Sequence, residues 1–166
     1  MSHLLRRVAT EFVRLVRSGA AVARPAPGAQ SPPVPTGAGP ALEYAPQRDG
    51  LPDPGEIVWV WVPFEDDPAR GKDRPVLVVA REGSLLVGLM LTSRDHDRDR
   101  ADEARHGRSW IDVGTGGWDA RGRPSEARLD RILRLDPAAV RREGASLDKA
   151  RFDDVVRALR ELHGWH

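Results

Sequence analysis

Residues 55–93 read GEIVWVWVPFEDDPARGKDRPVLVVAREGSLLVGLMLTS, and this stretch decides the fold. It holds three dense apolar runs, at residues 57–62, 76–79 and 85–91, separated by charged and Gly-containing segments. β-Branched and aromatic side chains fit a pleated surface better than a helix, so each run predicts a strand. In the first run Ile57, Trp59 and Trp61 share one face, and Val58, Val60 and Val62 the other. A strand that is apolar on both faces has to be covered on both. The curl of a small barrel supplies one cover, and a dimer partner or a terminal helix the other. Gly88, in the middle of the third run, marks a bulge or a sharp bend. A polar loop ending in Arg74-Pro75 leads into the second strand, and Thr92-Ser93 ends the third. An arginine at the mouth of one strand and two hydroxyls at the end of another form the leading functional signal.

Downstream, residues 94–108 read as a charged loop with five arginines and five acids. Asp95-His96-Asp97 within it suggests a metal site, but alternating charge in an Ala- and Gly-containing loop is ordinarily just solvated, and no metal is expected. Residues 110–113 predict a short strand, and GTGGWDARGRPS at 114–125 is turn-rich. Residues 125–135 predict the next strand, with Leu129 on one face and Arg128, Asp130 and Ile132 on the other. Asp136-Pro137 has the form of a capped helix start, with Gly144 as its stop. Ser146 then opens the last helix, whose apolar stripe is Phe152, Val155, Leu159 and Leu162 and whose end is Gly164.

Upstream, Leu5, Val8, Phe12 and Leu15 recur at helical spacing, with Arg6, Arg7, Arg14 and Arg17 on the opposite arc. Such a basic amphipathic helix packs on the barrel or frays, docks on a partner, or lies on an anionic membrane surface. The segment that follows contains PAPGAQSPPVPTGAGP, which is too poor in apolar surface to offset its ordering entropy. The expected organisation is an amphipathic helix over residues 1–22, a disordered linker over 23–53 and a barrel domain over 54–166.

Composition narrows the function classes. The 166 residues allow one domain with a modest core plus tails. The chain has no cysteine, which excludes disulfides, thiolate catalysis and Cys-based zinc sites. No apolar run reaches the roughly 20 residues of a membrane helix, and a cytoplasmic location fits. Net charge is +1, and residues 51–166 carry 20 basic against 22 acidic side chains. Any nucleic-acid contact is therefore local, because counterion release requires clustered positive charge.

Gly55-Glu56-Ile57-Val58-Trp59, Arg74-Pro75 ahead of an apolar strand, Leu91-Thr92-Ser93, and Ser125 to Asp130 before a closing helix occur in an order that resembles the PemK/MazF toxins. The likeness runs over roughly residues 54–163. It implies a mainly β fold with a C-terminal helix, an SH3-like small barrel of the PemK/MazF/CcdB kind. It also implies a metal-independent, sequence-selective endoribonuclease that needs no cofactor, cleaves single-stranded RNA, forms a homodimer and is neutralised by an antitoxin. The resemblance maps the phosphate-binding arginine onto Arg74 and the strand-end threonine onto Thr92. It maps an Arg-x-Asp acid–base pair, used by one branch of the family, onto Arg128 and Asp130. Ser93 and Lys72 stand beside these as candidate substrate-binding groups. Plainer readings exist for each: Arg74 paired with Glu65, Asp66 or Asp67, Thr92 closing a strand end, and Arg128 with Asp130 as a surface ion pair. The alternative functions are a non-catalytic binding module on the same barrel and a gyrase-poisoning toxin of the CcdB kind. For the latter, the chain's Gly164-Trp165-His166 has the wrong order of residues.

Overall fold

The computed structural model of the protein describes residues 39–94 and 100–165. The expected N-terminal helix and the first part of the expected linker lie outside them. The three apolar runs form strands β1 (Glu56–Pro63), β2 (Gly71–Glu82) and β3 (Leu85–Thr92). They are followed by a short helix α1 (Arg100–Arg105), strands β4 (Trp110–Gly114), β5 (Ser125–Leu135) and β6 (Arg142–Ser146), and helix α2 (Lys149–His163). The six strands make one sheet in the order β4-β5-β3-β2-β1-β6, antiparallel at every pairing.

Both faces of this sheet are buried, which is why its central strands read as unbroken apolar runs rather than alternating ones. On one face Ile57, Leu77, Val79, Leu89, Leu91 and Leu129 pack against Phe152, Val155 and Leu159 of α2. On the other, Val58, Val60, Val62, Val76, Val78, Leu86, Met90, Leu133 and Leu135 pack on one another. The sheet thus curls over its own second face into a half-barrel, the mainly β architecture with a C-terminal helix that the sequence predicts. Gly88 enables this curl. A Cβ there would sit 2.6 Å from Val76 Cγ1, and the β2–β3 register shifts beside it, between Val78 and Ala80.

Several local expectations are corrected. The charged loop contains α1, because Arg, Ala and Glu are good helix formers and Arg105 and His106 pair back to Asp102. Asp136 does cap a turn, accepting from the Ala138 amide, but it is a single 3-10 turn over Pro137–Ala139. The chain then extends as β6, with Gly144 inside it, because the free edge of β1 offers a ladder to pair with. Ser146 ends that strand, and the cap of α2 is Asp148, which accepts from the Ala150 and Arg151 amides. Gly164 ends α2 in the left-handed conformation, as expected, while Leu162 is 47% exposed and leaves the predicted stripe. Ile132 joins Leu129 in the helix-side core rather than opposing it, because the β3–β5 register shifts between Leu89 and Leu91.

Residues 39–53, expected as linker, pack on the sheet. Leu42 bridges to Ala80, and the Glu43 amide donates to the Val79 carbonyl. The Tyr44 ring lies 5.2 Å from Phe152, and its hydroxyl donates to the Leu147 carbonyl at 2.8 Å. Arg81 donates to the Pro52 carbonyl and to Asp53. Leu42 and Tyr44 already stand at strand spacing in the sequence. Averaging over the surrounding Pro and Gly hides them.

Candidate active site

The site arises where β2 and β3 part. β2 pairs with β1 along its first residues, from Gly71 opposite Pro63 to Pro75 opposite Trp59. Its ladder with β3 begins only at Val76 opposite Met90. Continued by one rung pair, that register sets Arg74 across from Thr92, at the point where β3 ends against Glu126 of β5. Pro75 suits this position, since its missing amide removes no rung from a β2–β3 ladder that starts one residue later. Arg74-Pro75 therefore lies inside a strand, not in the loop before it as the sequence reading has it.

The opening holds a cleft of about 530 Å³, within the range of small-ligand sites. Lys72, Asp73, Arg74 and Pro75 form one wall, Leu91, Thr92 and Ser93 the end, and the β4–β5 loop with Trp118, Asp119, Arg121 and Arg123 the other wall. Trp59 contributes to the floor. Of the six candidate residues, Arg74, Thr92, Ser93 and Lys72 meet here. Four cations face two carboxylates in the lining. Asp73 is paired with Arg141 at 3.3 Å and Asp119 with Arg123 at 2.8 Å. A chain with little net charge so concentrates positive potential at one place.

Arg74 is half-buried and has no acidic partner among the described residues. Burial, and then the nearby Arg131 and Arg128 guanidiniums, lower its affinity for a proton. A guanidinium does not lose its charge in a protein, so Arg74 stands as a cation that no described carboxylate neutralises. Glu65, the alternative partner, is occupied elsewhere. The Thr92 hydroxyl accepts from the Arg94 amide at 3.2 Å, which leaves its own proton available to donate.

Arg128 and Asp130 come together, but outside the residues that line the cleft. Both Nε and Nη2 of Arg128 donate to the Asp130 carboxylate, the latter at 2.7 Å. The same guanidinium grips Glu65 of the β1–β2 loop through two bonds of 2.7 and 3.1 Å. Asp130 also accepts the Ser109 amide at 2.7 Å, and the Trp110 ring stacks near the guanidinium. Burial disfavours the Arg128 charge, but its hydrogen bonds to Asp130 and Glu65 outweigh that and raise its pKa. Arg131, lowered chiefly by burial, donates to the Pro63 carbonyl. These groups staple the β1–β2 loop to β5. Both Asp130 oxygens are already in use as acceptors.

Sequence reasoning missed the loop wall. Its signal was the Trp118-Asp119 pair followed by Arg121 and Arg123 inside a segment read only as turns. The described histidines serve other ends: His106 Nδ1 meets the Asp102 carbonyl, and His163 contacts the Leu129 carbonyl and stacks on Trp165. Among the described residues no three His, Cys, Asp or Glu side chains converge into a metal-holding group.

A curled antiparallel sheet capped by one helix, with a cation-lined cleft at the parting of its central strands, defines a small half-barrel protein. The chain belongs to the family described as PemK-like, MazF-like toxin of type II toxin-antitoxin system, whose sequence model matches residues 53–163. The fold is shared with the crystal structure of MazE-MazF (Form-II) from Deinococcus radiodurans, at 21% identity and a TM-score of 0.51, covering 71% of this chain and 100% of that one. For Form-III from the same organism the values are 21%, 0.50, 70% and 99%. No curated protein sequence matches the chain.

Proposed function

We propose that the protein is a metal-independent endoribonuclease of single-stranded RNA, the toxin member of a type II pair. In this reaction the 2′-hydroxyl attacks the adjacent phosphorus and the 5′-oxygen leaves. The products are a 2′,3′-cyclic phosphate and a 5′-hydroxyl. One proton leaves the 2′-oxygen and one reaches the departing 5′-oxygen. The phosphoryl oxygens gain negative charge along the way and need preorganised donors. The observation that carries this reading is Arg74, a half-buried guanidinium without an acidic partner among the described residues, in the same cleft as Thr92. A planar fork that stays charged suits a phosphate. Thr92 supplies a neutral donor, and Lys72 and Ser93 contact the flanking substrate.

Arg128 and Asp130 enter this proposal as positioning residues. Asp130 serves as the base only if RNA displaces Arg128 from it, and its hydrogen bonds to Arg128 and Ser109 speak for a fixed role. That engagement is also what favours the second reading, a binding module on the same half-barrel that holds RNA without cutting it.

The partners follow from the family. An antitoxin partner is supported by the MazE-MazF assemblies on the same fold, and in this proposal it covers the cleft. A symmetric homodimer is supported by Trp61, which stays half-buried on a strand whose valines are fully covered. Mixed-sequence single-stranded RNA incubated with the protein in a chelator, followed by end-group analysis, tests the activity. Cyclic phosphate and 5′-hydroxyl ends are expected, with protection by a 2′-deoxy group at the cut. Binding without cleavage selects the module instead.

A further inference from the structure

The β4–β5 loop is more ordered than a surface turn requires. Trp118 is buried and donates through Nε1 to Ser125 Oγ at 3.1 Å, which anchors the loop to the first residue of β5. Asp119 then acts as its hub. Its amide donates to the Gly116 carbonyl, and its own carbonyl accepts the Gly122 amide. One carboxylate oxygen accepts the Arg121 amide at 2.8 Å, and the other accepts Arg123 Nε at 2.8 Å. The Arg121 amide, first, and the Arg123 side chain hold the Asp119 carboxyl below the usual aspartate range.

The free ends of this arrangement face the cleft. Arg121 uses its backbone, not its guanidinium, in the loop, and that guanidinium has no partner among the described residues. Arg123 gives only its Nε to Asp119, leaving both terminal nitrogens to donate elsewhere. Both side chains line the cleft opposite the wall that carries Arg74. One phosphate at Arg74 would leave these donors unused. A cleft of about 530 Å³ also has more room than a single phosphate needs.

From this we infer that the β4–β5 loop is a second phosphate-binding wall, with Arg121 and Arg123 as anion contacts and Asp119 as the residue that positions them. The ligand is then a strand with at least two consecutive phosphodiester linkages, one held at Arg74 and the next at the loop. The inference rests on the nuclease reading for the identity of the strand, and its test is separable because it reads binding rather than cleavage.

The probe is a mixed-sequence 2′-deoxy single strand, which cannot be cut by 2′-hydroxyl attack, titrated at several salt concentrations. Single-strand binding loses about 0.7 in the slope of log affinity against log salt per phosphate contact. Arg121→Ala should lower the slope by that amount and weaken binding roughly tenfold. Asp119→Ala removes a negative charge from the cleft and would tighten binding if charge alone mattered. As a positioning residue it should weaken binding, with partial recovery in Asp119→Asn, which keeps an acceptor for the Arg121 amide. An unchanged slope and affinity in Arg121→Ala, or tighter binding in Asp119→Ala, overturns the inference. With metal-free RNA cleavage by the wild type measured alongside, either result leaves the nuclease reading standing. Arg121-dependent binding without any cleavage does the reverse, and failure of the wild type to bind the strand overturns the inference, while the cleavage assay decides the nuclease reading by itself.

Discussion

Arg74 and Arg128 lie on neighbouring parts of one sheet, and both are withdrawn from water, yet they are opposites electrostatically. Arg128, with a side chain only 9% exposed, is saturated by two carboxylates. Arg74 has none among the described residues, and after burial what disfavours its charge is two more arginines, Arg131 and Arg128. A buried cation is costly unless paired. The first is therefore explained by the fold alone. The second is not, and under the proposed function a phosphate of the RNA supplies its missing partner. Separating what holds the loop from what awaits an anion is the lesson of the pair, and each test below acts on one side of it.

The largest effect is expected at Arg74. Arg74→Ala should cut the single-turnover cleavage rate by 10²–10³, about 3 kcal/mol of lost transition-state stabilisation, while thermal melting stays the same or rises slightly. A melting point that falls with the rate would make Arg74 a structural residue. Arg128→Ala should show the converse. Removing one partner of a buried pair costs 3–5 kcal/mol, but Glu65 is 49% exposed and largely screened, so about 2 kcal/mol is expected in urea denaturation. Asp130→Asn comes next, at about 1 kcal/mol of stability, since the amide oxygen can still accept the Ser109 amide. Its rate should fall no further than that loss of order explains. A collapse of the rate with unchanged melting would restore Asp130 as the catalytic base.

Thr92→Ala should cost about 1 kcal/mol in kcat/KM, the worth of one neutral hydroxyl donor. The smallest effect concerns pH. The lowered Asp119 pKa means its contribution is complete above the ordinary aspartate value near 3.9 and is lost as pH falls through the depressed one. Carboxyl NMR should find Asp119 titrating below the ordinary aspartate value, and Arg123→Ala should bring it back toward that value.

Much of the fold was legible because two-sided burial writes itself as unbroken apolar runs, and β1, β2 and β3 were read from them, while β5 was read from the pattern of its two faces. Residues 137–146 were not, because a cap and a proline speak only for the first turn, whereas β6 is decided by the distant edge of β1. Arg74 and Thr92 stood out through their places at strand ends, 18 residues apart and brought together by a register continued one rung pair. The saturation of Asp130 was illegible, because Glu65 and Ser109 reach the Arg128–Asp130 pair through tertiary structure alone. The loop wall was hidden by composition, since glycine-rich turns look alike whether or not an aspartate organises them.

The packed segment 39–53 has a practical consequence for anyone who trims this gene. Similarity to the family begins at residue 53, but the physical unit begins at least as early as Gly39, which abuts the Trp165 side chain at the far end of the chain. An expression boundary drawn at the edge of that similarity would strip Tyr44 from Phe152, leave Leu147 without its hydroxyl donor, and bare the flank of α2. The aggregation that followed would report where the cut was made, not whether the toxin folds.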